Sequence, residues 1–376
     1  MELFENVAFQ VALLVVVVFI ALFIISRKIY EQKLRTSIRK GDMEKYGKLL
    51  NSFFAVILLE PNRVNLLRAI YSLDINNSKQ ADLDLAKVNF RRLKGDEKGL
   101  YVQTASTIAM NNKDKKLFAL VAPAIATQFD DCKLSQVVTA LKRLGFDEVF
   151  EVALGADVVA KYEARELAQK GFLFSSCCPS FVKYIQLYHP EMAQMISHNL
   201  SPMAMLGKLL KQSYQNCSTI FIGPCISKKS EAQKQQVREY IDCVLTFEEM
   251  VAIFDSKDIK PNKLEETELD NASFFGRMFA KSGGVIGAIS QSIKEQNLDI
   301  QLKAESANGM DAIAVAVLKK SKNICESNFI EGMACTGGCI NGPGCIIHKL
   351  QSEKQLESFS KTSSKSILQA ASKLEE

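Results

Sequence analysis

Three short segments, far apart in the chain, carry cysteine in settings that could do metal chemistry. They read Phe174-Ser-Ser-Cys-Cys-Pro-Ser-Phe181, Ile222-Gly-Pro-Cys-Ile-Ser-Lys-Lys-Ser-Glu231 and Phe329-Ile-Glu-Gly-Met-Ala-Cys-Thr-Gly-Gly-Cys-Ile-Asn-Gly-Pro-Gly344. Each sets Cys beside Gly or Pro, so the backbone bends tightly around sulfur. Four thiolates from such loops can hold one iron–sulfur cube, and a further thiol can do chemistry beside it. Structural zinc is the rival for four cysteines, but it usually takes at least one close Cys pair per half-site. Cys178 and Cys225 come singly from distant segments, which argues against zinc.

The chain has ten cysteines in 376 residues, without the spacing of a disulfide-stapled secreted domain. Cys132, Cys217, Cys243 and Cys325 read as small buried apolar residues. Cys217 and Cys243 lie beside expected strands, and Cys345 is open to either reading. Net charge is only +5, and no basic–aromatic interleaving marks a nucleic-acid groove.

The positioning elements follow from periodicity. From Leu117 onward strands alternate with helices, which predicts an α/β fold with parallel sheets. The strands are expected at Leu117–Ala122, Glu148–Ala153, Gly171–Ser175, Ser218–Gly223, Tyr240–Leu245 and Asn328–Glu331. Helices are expected at Leu134–Leu144, Val158–Gln169 and Phe247–Phe254. Ligands in such folds bind at the carboxyl ends of strands, where the first two cysteine motifs fall. Pro179 suits the first turn of a helix, whose positive end would favour thiolate character at the Cys177–Cys178 pair. Glu163 and Glu166 stand three apart on one helix face. Without further information they could equally be a solvated surface.

The three motifs, in this order, resemble the cysteine signatures of the H-cluster domain of iron-only ([FeFe]) hydrogenases. The likeness covers Lys116 to Cys345, includes Ser282-Gly-Gly-Val285, and is greatest to the branch with Gly-Pro-Cys and Phe-Ile-Glu-Gly-Met-Ala-Cys. It implies two lobes with the cofactor in the cleft. It implies a [4Fe–4S] cube on Cys178, Cys225, Cys335 and Cys339, with Cys339 also bridging to a two-iron subcluster bearing CO, cyanide and a dithiolate. Gly337 and Gly338 would leave room for that cofactor, with Pro224 and Met333 packed near it. Lys228 would donate to a cyanide, although a Lys there could also be a surface charge. Cys177, Glu163, Ser197 and Glu166 would form a proton wire. Glu231 is expected to pair with a basic residue of the interior.

The sequence also departs from that family. Gly223 stands where Met often precedes Pro-Cys, Phe181 where Trp is common, and the third motif ends in Gly-Pro-Gly-Cys345. Residues 1–116 contain no Cys, so no ferredoxin-like relay segment is present there. Electrons would come from an external ferredoxin-like or other redox partner, and the cofactor from H-cluster maturation proteins. The expected activity is interconversion of protons plus electrons with H2. The alternatives are an H2-sensing H-cluster protein and an iron–sulfur assembly factor of the same fold.

The N-terminal part reads differently. Val7 to Ile25 is apolar except for Gln10, close to the roughly 20 residues that cross a bilayer. The acidic start and the closing Ser26-Arg-Lys28 suggest an uncleaved single-pass anchor over residues 1–28 rather than a signal peptide. The basic flank Arg27, Lys28, Lys33, Arg35, Arg39 and Lys40 would keep the catalytic domain cytoplasmic at the cell membrane. Residues 29–115 read as a helical spacer, with helix-period stretches at Met43–Leu59, Val64–Leu73 and Ala81–Leu93. Gly41–Tyr46 and Leu59–Asn62 give it a partial tetratricopeptide flavour; a plain helical linker is the alternative. The domain itself is expected over 116–350, with 351–376 a short helix and frayed tail.

Overall fold

The computed structural model describes residues 2–40, 42–75, 77–85, 87–88, 104 and 115–375; of the side chains among them, those of residues 2–17, 39, 53, 56, 78, 79 and 82 are not described. The chain forms two compact units, residues 1–112 and 113–376.

In the first unit, helix α1 spans Glu2–Arg39, followed by α2 (Met43–Leu50), α3 (Phe53–Leu58), α4 (Pro61–Asp74) and α5 (Ser78–Leu85). The Asp42 side chain caps α2 by accepting from the Lys45 amide at 3.0 Å. Pro61 opens α4 at a position where no amide is needed. Tyr30, Leu34, Tyr46, Leu50, Ala55 and Leu59 bury one small core. The single helix expected over Met43–Leu59 is two, because Ser52 is extended (φ −77°, ψ 155°) and its hydroxyl meets the Tyr30 hydroxyl at 2.7 Å. That break interrupts the continuous helix on which the tetratricopeptide reading depended. Of the helix expected over Ala81–Leu93, the part to Leu85 belongs to α5 and residues 89–93 lie outside the described residues.

Among the described residues no helix is long and apolar enough to cross a membrane. The expected span is therefore not met there, and the side chains of its residues 7–17 lie outside the description. Those of 18–25 are exposed, including Phe19, Leu22 and Ile25.

Among its described residues the second unit has seven strands: β1 (Lys116–Val121), β2 (Glu148–Glu151), β3 (Leu173–Phe174), β4 (Cys217–Gly223), β5 (Cys243–Thr246), β6 (Ala304–Asn308) and β7 (Phe329–Met333). One sheet has the order β2-β1-β4-β5 and the other β3-β7-β6; all pairs are parallel. Leu117–Val121 and all of β4 are buried, as continuous apolar strands covered on both faces must be.

The helices are α6 (Leu134–Leu144), α7 (Val152–Lys170), α8 (Pro179–Tyr188), α9 (Pro202–Ser213), α10 (Ser227–Ala232), α11 (Phe247–Ser256), α12 (Phe274–Met278), α13 (Gly284–Glu295), α14 (Met310–Ser321), α15 (Ser352–Ser360) and α16 (Ile367–Glu375). Three expectations need correction. The strand at Glu148 stops at Glu151 because α7 begins at Val152, six residues before its expected start at Val158. Polar β6 was not foreseen; it is an edge strand, so it needs only one covered side. The C-terminal stretch is not a frayed tail: α16 buries Ile367, Ala370 and Ala371, and Glu375 pairs with Lys161 of α7 at 2.5 Å.

Candidate functional site

All three cysteine motifs leave the carboxyl ends of parallel strands. Beyond β3, Cys178 sits immediately before α8, which Pro179 opens at its first position. Cys225 follows β4 and precedes α10. Cys335 follows β7, and Cys339 begins a short turn to Asn341. Strands of both sheets therefore aim their loops at one cavity of about 200 Å³. Its wall includes Cys177, Cys178, Cys225, Cys335, Cys339, Lys228, Met333, Pro224 and Gly338. A wider open recess of about 810 Å³ lies at Arg143, Lys257 and Lys263, but no cysteine lines it.

The donor set on this wall includes four cysteine thiols, Cys178, Cys225, Cys335 and Cys339, the set that an iron–sulfur cube takes. Among the described residues no group of His, Cys, Asp or Glu is gathered tightly enough to hold one metal ion. A cube binds each sulfur through a different iron, so its cysteines need wider spacing. All ten cysteines are free thiols. Burial pushes the thiol of Cys335 to about 11 and those of Cys177 and Cys339 well above the ordinary range. Repulsion among Cys178, Cys225, Cys335 and Cys339 as thiolates adds to this. A cationic centre is what relieves such a set, since metal binding deprotonates its thiols. For Cys177 burial works against the helix-end effect expected from the sequence and raises the thiol.

The backbone also makes room. Gly337 and Gly338 have φ of +84° and +95°. A Cβ on Gly338 would come within 2.7 Å of the Lys281 and Ser282 backbone. Gly344 donates its amide to the Pro224 carbonyl at 2.8 Å, which ties the third motif to the second. The Cys345 thiol is buried and donates to the Ile340 carbonyl at 3.3 Å, so it braces this loop. Cys132, Cys217, Cys243 and Cys325 do not line the cavity.

Glu163 is buried beside the first motif. Its Oε1 accepts from the Ser176 amide (3.3 Å) and hydroxyl (3.1 Å), while Oε2 has no partner. Burial raises its carboxyl to about 7, partly offset by the nearby Ser197 hydroxyl and the Ser176 hydrogen bonds, although Ser197 itself is bonded to Glu166. Glu166, one turn on, shares that face but is partly accessible, with 12% of its side chain exposed. Burial would raise it, but the Lys170 ammonium (2.6 Å), the His198 amide (3.1 Å) and the Ser197 hydroxyl (3.0 Å) together hold it below its ordinary value. Asn199 also donates to Glu166 at 2.8 Å. The structure thus brings Cys177, Glu163, Ser197 and Glu166 into one region and places Glu163 in the interior rather than on a solvated face.

Lys228 is 8% exposed, which excludes a surface charge. Its ammonium donates to the Cys177 carbonyl at 3.2 Å and pairs with Glu231 at 2.7 Å. Burial would lower its pKa, but Glu231 and the neighbouring thiols leave it raised. Sequence reasoning passed over Ser176 and Glu331. Glu331 is buried in β7, accepts from the Gly283 amide at 3.1 Å, and is raised to about 7 by burial. An acid inside the apolar run Phe329–Met333 was its available signal.

Comparisons with known proteins agree with this geometry. The family model for the C-terminal domain of the iron only hydrogenase large subunit matches residues 115–343. Iron hydrogenase 1 of Clostridium pasteurianum is 30% identical over 292 residues, covering 63% of this chain and 51% of that protein. This chain thus spans about half the length of that relative. The cytosolic Fe-S cluster assembly factor NAR1 of Kluyveromyces lactis is 25% identical, covering 47% of this chain and 52% of that one. Among solved structures, apo [FeFe]-hydrogenase HydA1 from Chlamydomonas reinhardtii superposes with a TM-score of 0.60 at 21% identity, covering 73% of this chain and 93% of the other; this likeness is one of fold. With a family model spanning the three cysteine motifs and a shared fold, the chain belongs to the family defined by the C-terminal domain of iron-only hydrogenase large subunits.

Proposed function

We propose that this chain is a hydrogenase that interconverts two protons and two electrons with H2. The observation that carries the reading is buried Glu163, held by Ser176 next to Cys177 of the cavity wall, with Ser197 bonded to Glu166 close by. Cys178, Cys225, Cys335 and Cys339 would hold a [4Fe–4S] cube, with a two-iron subcluster beside it. When bound, that subcluster supplies the open metal site and the redox capacity for the reaction. The protein's part is proton handling and enclosure. Cys177, its thiol raised by burial, holds a proton at the cavity wall. Glu163, near neutral in pKa, receives or returns it through the Ser176 region. Ser197 links onward to Glu166, which meets solvent beside Lys170 and His198. Lys228 offers a buried cation at the wall, and the apolar lining excludes bulk water.

Electrons would arrive from an external redox protein, since residues 1–116 carry no Cys. A membrane tether through α1 is part of the same proposal; the exposed Phe19, Leu22 and Ile25 and the basic residues that follow support it. Retention of residues 1–40 fused to a soluble reporter in carbonate-washed membranes tests it, and release into the wash rejects it.

Similarity to NAR1 favours a second reading, an iron–sulfur assembly role. One experiment separates them. The chain is produced with the maturation proteins, and infrared CO and cyanide bands are recorded with H2 evolution from an artificial reductant. Bands with rapid turnover support the hydrogenase. Bands without turnover indicate a sensor, and a cube without bands indicates the assembly reading.

A further inference from the structure

The last residue of β4, Gly223, directly precedes Pro224 and Cys225, both of which line the cavity. A Cβ built on it would lie 2.5 Å from Cζ and 2.6 Å from Cε1 of Phe221, and 3.0 Å from the Ala122 Cβ. The obstacle is the ring of Phe221, a side chain on the same face of the same strand two residues earlier. Phe221 is 3% exposed and lines the cavity with Ala122 and Pro224. Gly223 has no positive φ, so no backbone strain explains its lack of a side chain. The ring does: it fills the volume into which a residue at 223 would project.

We propose that Phe221 and Gly223 act as a single unit that fixes the β4 wall of the cavity, with Phe221 as the positioning residue for the group the cavity holds. The proposal rests on the cofactor reading for its function, but its geometry stands without it. A ring pinned between Ala122 and the strand end has two side-chain torsions. An unbranched side chain grown from 223 has more freedom and gives a softer wall. Phe221 thereby sets how much room lies beside Pro224–Cys225 for a small apolar guest or a diatomic ligand.

The test uses the full chain and four forms: parent, Phe221→Ala, Gly223→Met, and the double variant. Each single change is expected to lower the melting temperature, the first by leaving a void and the second by collision, on the order of 10 °C for the void. The double variant should recover most of that loss, because the new side chain occupies the vacated space. Crystals pressurised with xenon should show a new xenon site in Phe221→Ala and none in the double variant. Strictly additive losses, or no xenon beside Pro224 in Phe221→Ala, would overturn the unit. In cofactor-loaded protein the CO and cyanide infrared bands should shift in Phe221→Ala; unmoved bands would overturn the positioning role. Failure to load the cofactor at all would instead count against the hydrogenase reading, because the melting and xenon results need no two-iron subcluster.

Discussion

Two buried carboxylates, Glu151 at the end of β2 just before α7 and Glu163 beyond the midpoint of α7, are treated in opposite ways. Glu151, just before the first turn, is fully satisfied. It takes Arg277 Nε at 2.7 Å and Nη2 at 2.9 Å, with the Asn271 amide at 2.8 Å. Arg277, itself wholly buried, also donates to Thr362 at 2.8 Å and lies 4.2 Å from the Phe359 ring centre. Glu163 has two serine contacts, one oxygen without a partner, and no cation. A carboxylate locked in a fixed ion pair serves as a structural anchor, whereas Glu163, left half satisfied in a low-dielectric site, is free to change its bonding. Burial alone therefore does not mark function; the unfinished hydrogen bonding does.

The contrast can be broken at either end. Cys177→Ala should have the largest effect: a loss of turnover of about 10² to 10⁴ with the infrared bands retained. Surviving turnover would remove Cys177 from the proton route. Arg277→Met leaves Glu151 buried and unpaired, which should cost about 3–5 kcal/mol of stability. Calorimetry checks this, and a second change, Glu151→Leu, should restore much of it. Activity per folded molecule should stay unchanged in both, as expected for a structural node.

Glu163→Gln should cut turnover about a hundredfold and alter the pH dependence of stability. In the folded chain Glu163 binds its proton up to about 7, against an ordinary value of 4.5. Between those limits the folded state holds the extra proton, so stability is highest at the acid end. It falls as pH rises, by up to about 1.4 kcal/mol per unit from this group. Denaturant titrations from pH 4.5 to 7 should show a shallower fall in the variant; an unchanged slope would mean that Glu163 is not the titrating group. Glu331 shares that window, so part of the slope should remain. The smallest effect is expected for Ser197→Ala, about tenfold in turnover from one lost hydrogen bond. If it equals the Glu163 variant, proton flow has no bypass around Ser197.

Much of the second unit was readable locally. The apolar strands Leu117–Val121 and Ser218–Gly223 carry a pattern that parallel sheets impose, and the Gly and Pro residues around the cysteines mark the loops at their ends. Glu163 and Glu166 share a helix face by spacing alone. The N-terminal unit was less legible. The same helical period runs through Met43–Leu59 whether or not a break falls in it, and the contact of Tyr30 with Ser52 comes from distant residues.

The amino-acid order by itself thus determined the strand–helix alternation, the three sulfur-bearing loops and the acids facing together on α7, because short-range periodicity and turn chemistry encode these. Only the tertiary structure decided that Lys228 is buried, that burial raises the Cys177 thiol, that Arg277 binds Glu151, and that the Phe221 ring stands over Gly223. Those outcomes depend on desolvation and on partners 2 to 126 positions away. A residue's neighbours in sequence do not say how much water it keeps.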